Sequence, residues 1–344
     1  MQSPLKILLT GGGGFVGLNI TEALLRAGHH VVVLENAQLP SHALATFSAL
    51  PGQLHVIEAD VSSSEAVTAA FNEARPDRVI HAAAITPAPE RELREYGRIV
   101  DVNIKGAANV LRAALEYKVA RFVYVSSGSA YGAALFGNAP LQEDESVPLP
   151  DSLYAITKFA AERLCLRMRE QHGLDAVCAR LGSVFGPWEF DTGVRDTLSL
   201  PLQILRRAMR GDEIVHARNE PRRDWVYSRD VAAGIIELIR APQLQHTLYH
   251  LSSGFAWGGI SAAWCGRLQA QFTQLKWRPA REGETANVSF LGERSRTLMS
   301  IERLTADTAY RPAFTGEHAF ADYFDWVREH AGHFYARSPQ GRQP

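Results

Sequence analysis

Long apolar runs are missing from this chain of 344 residues. No stretch is long enough to span a bilayer, and the N-terminus lacks the charged and apolar pattern of a secretory signal, so neither a membrane protein nor an exported one is expected. Cysteine is scarce: Cys165, Cys178 and Cys265 are an odd set without metal-type spacing. They read as free thiols, two of them packed in apolar surroundings, in a reducing cytoplasm, with no metal expected. An excess of either charge is absent too, since 36 Lys and Arg face 37 Asp and Glu. Neither nucleic acid nor an anionic membrane is therefore expected as the main partner. There is no internal repeat, coiled coil or low-complexity stretch, and only Ser338 to Pro344 has the character of a flexible tail.

What is present begins with a strand, a tight turn and a helix. Leu5 to Thr10 is a short apolar run that breaks into Gly11-Gly12-Gly13-Gly14-Phe15-Val16-Gly17, after which a helical pattern runs to Arg26 and stops at Gly28. Glycines at 11, 14 and 17 let the main chain approach a pyrophosphate at a helix N-terminus, where unpaired N–H groups and the helix dipole favour anions. The next strand, Val31 to Leu34, ends in Glu35, about twenty residues past the turn, where a dinucleotide fold places the carboxylate that holds ribose hydroxyls. A carboxylate there repels a 2′-phosphate, so the expected cofactor is NAD rather than NADP. Further strands, Leu54 to Glu58, Arg78 to His81 and Arg121 to Val125, end at Asp60, at Ala82-Ala83-Ala84 and at Ser126-Ser127. Such strands alternating with helices predict a doubly wound parallel sheet of the Rossmann type, with ligands outside the strands' carboxyl ends.

Downstream lies Tyr154-Ala155-Ile156-Thr157-Lys158. A tyrosine and a lysine four residues apart on a helix share one face, so the ammonium can favour the ionised phenol. Free tyrosine has a pKa of about 10, and working near neutrality needs a shift of roughly three units, worth about 4 kcal/mol. Lysine is rare here, with five in the chain.

In their joint order these motifs resemble the extended short-chain dehydrogenases/reductases, the NAD-dependent epimerase/dehydratase family, over nearly the whole chain. The resemblance rests on Thr10-Gly11-x-x-Gly14-x-x-Gly17, Glu35, Asp60-Val61, His81 to Ala84, Val102-Asn103 with Gly106, the serine-rich loop ending in Tyr131-Gly132, the Tyr154/Lys158 pair, and Arg180-Leu181-Gly182-Ser183-Val184-Phe185-Gly186-Pro187. It implies that Tyr154 is the acid/base, that Ser127, four residues before Tyr131, binds the reacting oxygen, and that Lys158 holds the nicotinamide ribose. It also implies that Asp60 contacts the adenine, with Phe15, Val16, Val61, Ala82 to Ala84, Asn103 and Leu181 around the cofactor. Residues 1–180 with about 226–258 would form the NAD-binding domain, and about 181–225 with 259–337 a smaller α/β substrate-binding lobe. Helical segments near Glu92 to Tyr117 and Ser152 to His172 are those that family members pair into a homodimer.

Substrate choice falls to the second half. The stretch Arg223-Asp224-Trp225-Val226-Tyr227 and the turn Arg281-Glu282-Gly283-Glu284 are similar to segments whose arginines hold a substrate diphosphate in nucleotide-sugar epimerases; locally, either arginine could instead pair with a neighbouring carboxylate. Ser183 departs from that pattern, because such enzymes commonly carry Asn there. Arg195, in an insert rich in charge and aromatic groups, could clamp the carboxylate of a sugar acid, and Ser129 lies beside Ser127 on the substrate side. The expected function is hydride transfer at a sugar carbinol, first as a nucleotide-sugar epimerase, with an NAD-dependent dehydrogenase of a free sugar or sugar acid as the alternative. A non-catalytic NAD-sensing scaffold is disfavoured by the intact Ser127, Tyr154 and Lys158.

Overall fold

Side chains of successive strand residues point to opposite faces, and here both faces are apolar, which requires helices on both sides. The computed structural model describes residues 3–190, 195–289 and 294–330; the expected tail and part of the insert before Arg195 lie outside them. In chain order come β1 (Lys6–Thr10), α1 (Phe15–Arg26), β2 (His30–Glu35), α2 (Ser41–Phe47), β3 (Gln53–Glu58), α3 (Ser64–Ala74), β4 (Arg78–His81), α4 (Pro89–Val100), α5 (Gly106–Glu116), β5 (Arg121–Ser127), α6 (Leu153–His172) and β6 (Ala176–Leu181). Then follow β7 (Ser183–Phe185), α7 (Leu200–Arg210), β8 (Ile214–His216), β9 (Trp225–Tyr227), α8 (Ser228–Arg240), β10 (Leu248–Leu251), α9 (Ile260–Gln269), β11 (Trp277–Pro279), α10 (Glu302–Asp307) and α11 (Glu317–Glu329).

Seven strands form one sheet in the order β10-β6-β5-β4-β1-β2-β3, every pair parallel. Along β1 the alternation is direct: Ile7 and Leu9 join the core on one face, and Leu8 joins the core on the other. Because β1 is flanked by β2 and β4, the chain reverses its direction of travel across the sheet there and leaves a crevice at the carboxyl ends of β1 and β4. The expected helical stretch from Glu92 is realised as α4, a wide π-type turn at Asp101–Lys105, and α5. Two small parallel pairs, β7 with β9 and β8 with β11, lie beyond the main sheet. All three cysteines are free and buried. The expectation was two; all three are packed, Cys265 on the face of α9 that joins one core and Cys165 and Cys178 in the core on the other side of the sheet. Among the described residues no helix is long and apolar enough to cross a membrane, and no cluster of His, Cys, Asp or Glu is placed to hold a metal ion.

Candidate active site

Two glycines make the cofactor turn possible. Gly11 has φ +71°, and a Cβ there would stand 2.6 Å from the Ala83 backbone; a Cβ on Gly17 would stand 1.9 Å from the Gly11 carbonyl oxygen. The chain therefore folds back on itself with no side chain between turn and strand ends, and α1 starts from Gly14 without a side-chain cap. Its first N–H groups have no acceptor within the helix, which leaves donors and a positive dipole end for a pyrophosphate. Glu35 closes the turn: its Oε2 accepts from Gly13 N at 2.9 Å and its Oε1 from Asn36 N at 3.1 Å. Burial raises its pKa, opposed by those two N–H bonds. Asp60 accepts from Ser62 N and Ser62 Oγ and pairs with Arg98 Nη2 at 2.5 Å. Val61 packs under Gly106, where a Cβ would meet its Cγ2 at 2.7 Å.

The expected catalytic trio shares one cleft with that turn. A cavity of about 380 Å³ runs from Gly11, Gly14 and Phe15 past Ala82 and Ala84 to Ser127, Tyr154 and Lys158. Val16, Gly17, Ser129, Leu181, Ser183 and Arg195 also line it. Ser152 caps α6, its side chain accepting from Ala155 N at 3.3 Å, and so places Tyr154 and Lys158 on the first turns. Lys158 is 3% exposed. Its Nζ donates to the Val125 carbonyl at 2.5 Å and lies 4.4 Å from the Tyr124 ring centroid. Burial pushes its pKa down to about 8.

Tyr154 departs from the simple expectation. Its pKa is raised, because burial outweighs the opposing pull of the Ser127 and Thr86 hydroxyls and of the Arg195 charge. The helical spacing is as expected, but the lysine's bond to Val125 directs it to the β5 end, and the charge that acts on the phenol is that of Arg195. An NAD-free site thus holds a neutral phenol. Asn103 is likewise a strut rather than a cleft residue: its amide takes Ile85 N at 2.8 Å and gives to Ile85 O and Thr157 Oγ1, each at 3.0 Å, tying the β4 end to α6.

The structure separates the substrate-side arginines. Arg281 is exposed and is not among the residues lining the cleft; Glu284 accepts from its backbone N and pairs with Arg278. Arg223 is 1% exposed, with its pKa lowered to about 10 by burial and by the neighbouring Arg296. Arg296, which sequence reasoning missed, lines the cleft with Asp151 and Thr297. Its pKa is lowered by burial, with Asp151 opposing, and among the described residues its Nε has no hydrogen-bond partner. The segment carrying it is sewn in place by Arg296 N to Arg222 O, Thr297 N to Leu135 O and Met299 N to Asp224 Oδ2. No local motif marks Arg296; only this threading brings it in.

A parallel sheet with its crevice at the β1/β4 switch, a bare glycine turn and a Ser-Tyr-Lys wall defines the class of nicotinamide-dinucleotide oxidoreductases built on the extended short-chain fold. Residues 7–250 match the NAD dependent epimerase/dehydratase family. The chain belongs to that family and is an NAD-dependent enzyme of the epimerase/dehydratase type. It is 32% identical over 244 residues to an uncharacterized 37.6 kDa protein of Escherichia coli O111:H-, covering 68% of this chain and 69% of that one. It is 26% identical over 338 residues to a dTDP-glucose 4,6-dehydratase of an Actinoplanes species, covering 94% and 98%. Among solved structures, the UDP-glucose 4-epimerase of Thermus thermophilus in complex with NAD superposes with a TM-score of 0.73 at 25% identity, over 94% of this chain and 98% of that one.

Proposed function

We propose that the chain transfers hydride between NAD and a carbinol of a nucleotide-linked sugar, as an epimerase. The observation that carries this reading is the convergence of Ser127, Tyr154 and Lys158 with the glycine turn in one cleft whose far wall holds Arg296, with Arg223 beside it. When bound, NAD supplies the hydride acceptor. The turn at Gly11 to Gly17 would hold its pyrophosphate, Glu35 the adenosine ribose, and Lys158, a buried ammonium with donors beyond its one bond to Val125, the other ribose. Ser127 fixes the substrate oxygen, and Tyr154, which would ionise once the positive nicotinamide ring adds to the Arg195 charge that already favours the phenolate, takes the hydroxyl proton as the carbinol hydrogen leaves as hydride. In an epimerase the ketone turns over within the cleft and takes hydride back on its other face, Tyr154 returning the proton. Relatives named for dTDP-glucose and UDP-glucose support a substrate with a diphosphate. Arg296, drawn out of water at the cleft wall, is relieved by such an anion, and its planar fork suits the anion's oxygens. We assign residues 1–180 with about 226–258 to cofactor binding and about 181–225 with 259–337 to a substrate lobe, in a cytoplasmic homodimer.

A thermal-shift panel tests the diphosphate half. UDP or dTDP should raise the melting temperature of the NAD-bound protein, as any ligand of the native state does. The shift should persist in Arg281→Ala and shrink in Arg296→Gln and Arg223→Lys. A shift indifferent to Arg296 and Arg223 sinks the assignment. The second reading, oxidation of a free sugar acid, is favoured by the exposure of Arg281 and by Ser183 in place of an amide; in that case nucleotides give no shift.

A further inference from the structure

Arg195 stands where three parts of the cleft meet. Its guanidinium carbon lies 5.2 Å from the centroid of the Phe15 ring on the glycine turn. Its backbone bridges to Thr86 at the end of the β4 loop, and its charge acts on the Tyr154 phenol. The next residue, Asp196, accepts from Ala88 N at 2.8 Å and pairs with Arg91 at 3.3 Å, so the segment is tethered to the start of α4. Behind it sits Glu189, its side chain 0% exposed and its Oε1 3.1 Å from Arg195 Nη1. Glu189 is itself fixed by Ser199, which donates both its backbone N, at 2.8 Å, and its hydroxyl. Burial raises the Glu189 pKa, opposed by the Arg195 charge and by the two Ser199 donors, and a buried carboxylate needs such partners.

We propose that Arg195, aimed by Glu189, selects the substrate by holding a carboxylate on the carbon framework next to the carbinol that Tyr154 deprotonates. The inference rests on the hydride-transfer reading above and narrows its substrate class to sugars carrying an acid group. Glu189 lies against Nη1, and a guanidinium has five donors in a planar fork that matches a carboxylate. Arg195 lines the cleft and keeps 22% of its side chain exposed. A neutral sugar there would leave a half-screened cation facing an acid/base group, whereas a sugar acid neutralises it. The arginines at the other wall are independent of this assignment, so the acid group can belong to a nucleotide-linked uronate or to a free sugar acid.

The test uses NAD-loaded full-length protein and pairs of carbohydrates that differ at the carboxylate: UDP-glucuronate against UDP-glucose, and free glucuronate and gluconate against glucose and sorbitol. Binding is read by thermal shift, and turnover by nicotinamide absorbance for net oxidation and by chromatographic appearance of the epimer for a reaction that returns its hydride. The wild type should favour the acid of at least one pair by at least about tenfold, the scale of one charge-assisted bidentate contact. In Arg195→Leu the KM or half-saturation for that acid should rise at least about tenfold, that for the neutral partner should stay within about twofold, and NAD affinity should be unchanged. A change in kcat common to both partners reports the phenol's surroundings and leaves the selectivity readout intact. Equal handling of both members in the wild type, an acid preference that survives Arg195→Leu, or a parallel loss of NAD affinity overturns the proposal. Turnover without acid preference leaves the hydride reading standing and removes the clamp. Acid-specific binding that Arg195→Leu abolishes, with neither NAD reduction nor an epimer formed, keeps the clamp and removes the hydride reading.

Discussion

Replacing Lys158 by methionine should stabilise the cofactor-free protein while removing its grip on NAD. The ammonium is 3% exposed, and its pKa falls from 10.5 to about 8 on folding. At roughly 1.4 kcal/mol per tenfold change in a proton equilibrium, carrying that charge costs the native state about 3 kcal/mol at neutral pH. Methionine has a similar length, is unbranched and adapts to apolar surroundings. Lys158→Met should therefore gain about 1 to 3 kcal/mol at pH 7, the lower figure allowing for the lost bond to Val125 O. The pH dependence carries the sign. A group whose native pKa is lowered binds more protons unfolded than folded between the two values, so its contribution grows as pH rises from about 8 to about 10.5, is complete above that range, and is lost as pH falls through 8. Urea denaturation of NAD-stripped wild type and variant at pH 7 and at successive steps up to pH 10 reads both effects. A variant less stable than wild type at pH 7, or one with the same pH dependence above 8, would refute the reasoning.

Other consequences follow from particular contacts. Glu35→Ala should narrow the preference for NAD over NADP chiefly by weakening NAD, as read by fluorescence titration of both cofactors; equal affinities in the wild type would mean that Glu35 does not hold the ribose. Asp224, 5% exposed and with its pKa raised to about 7 by burial, stabilises the fold most when protonated. Its contribution is full below the usual carboxylate pKa and is lost as pH rises through 7, so Asp224→Asn should lose stability less steeply between pH 4 and 7 on chemical denaturation. Leu93, Tyr96 and Ile156 expose 88%, 62% and 47% of their surface on α4 and α6, and light scattering at micromolar concentration should return a dimer mass; a monomer contradicts that.

The fold was legible because its signals are local: strand runs in β1, β2, β4 and β5, the glycines that only a tight turn at a helix start requires, and the Tyr154/Lys158 spacing set by one helix. The place of Glu35 at the end of β2 beside the turn was legible for the same reason, its distance from the turn being fixed by one helix and one strand. Contacts made by distant segments were not. Arg296 reaches the cleft because residues 294–300 thread between the loop at Leu135 to Leu141 and Asp224, and nothing in its neighbours announces this. Arg281, chosen by likeness to a short turn, faces solvent beside β11, where Glu284 is held by Arg278. Spacing on α6 also told nothing of the Lys158 acceptor, which depends on how the helix sits on β5, nor of the burial that raises the Tyr154 pKa. The partnership of Glu189 with Arg195 was invisible although six residues separate them, since no secondary-structure period sets it.

The central claim is that Tyr154 moves the proton of a sugar hydroxyl while hydride leaves for NAD. Single-turnover absorbance of reduced nicotinamide, recorded on NAD-loaded wild type and Tyr154→Phe after adding nucleotide sugars and sugar acids, measures that step directly. Reduction should appear with at least one substrate, transiently for an epimerase and persistently for a dehydrogenase. In the variant it should slow by at least about a hundredfold at unchanged NAD affinity. Reduction at the wild-type rate in Tyr154→Phe would contradict the claim.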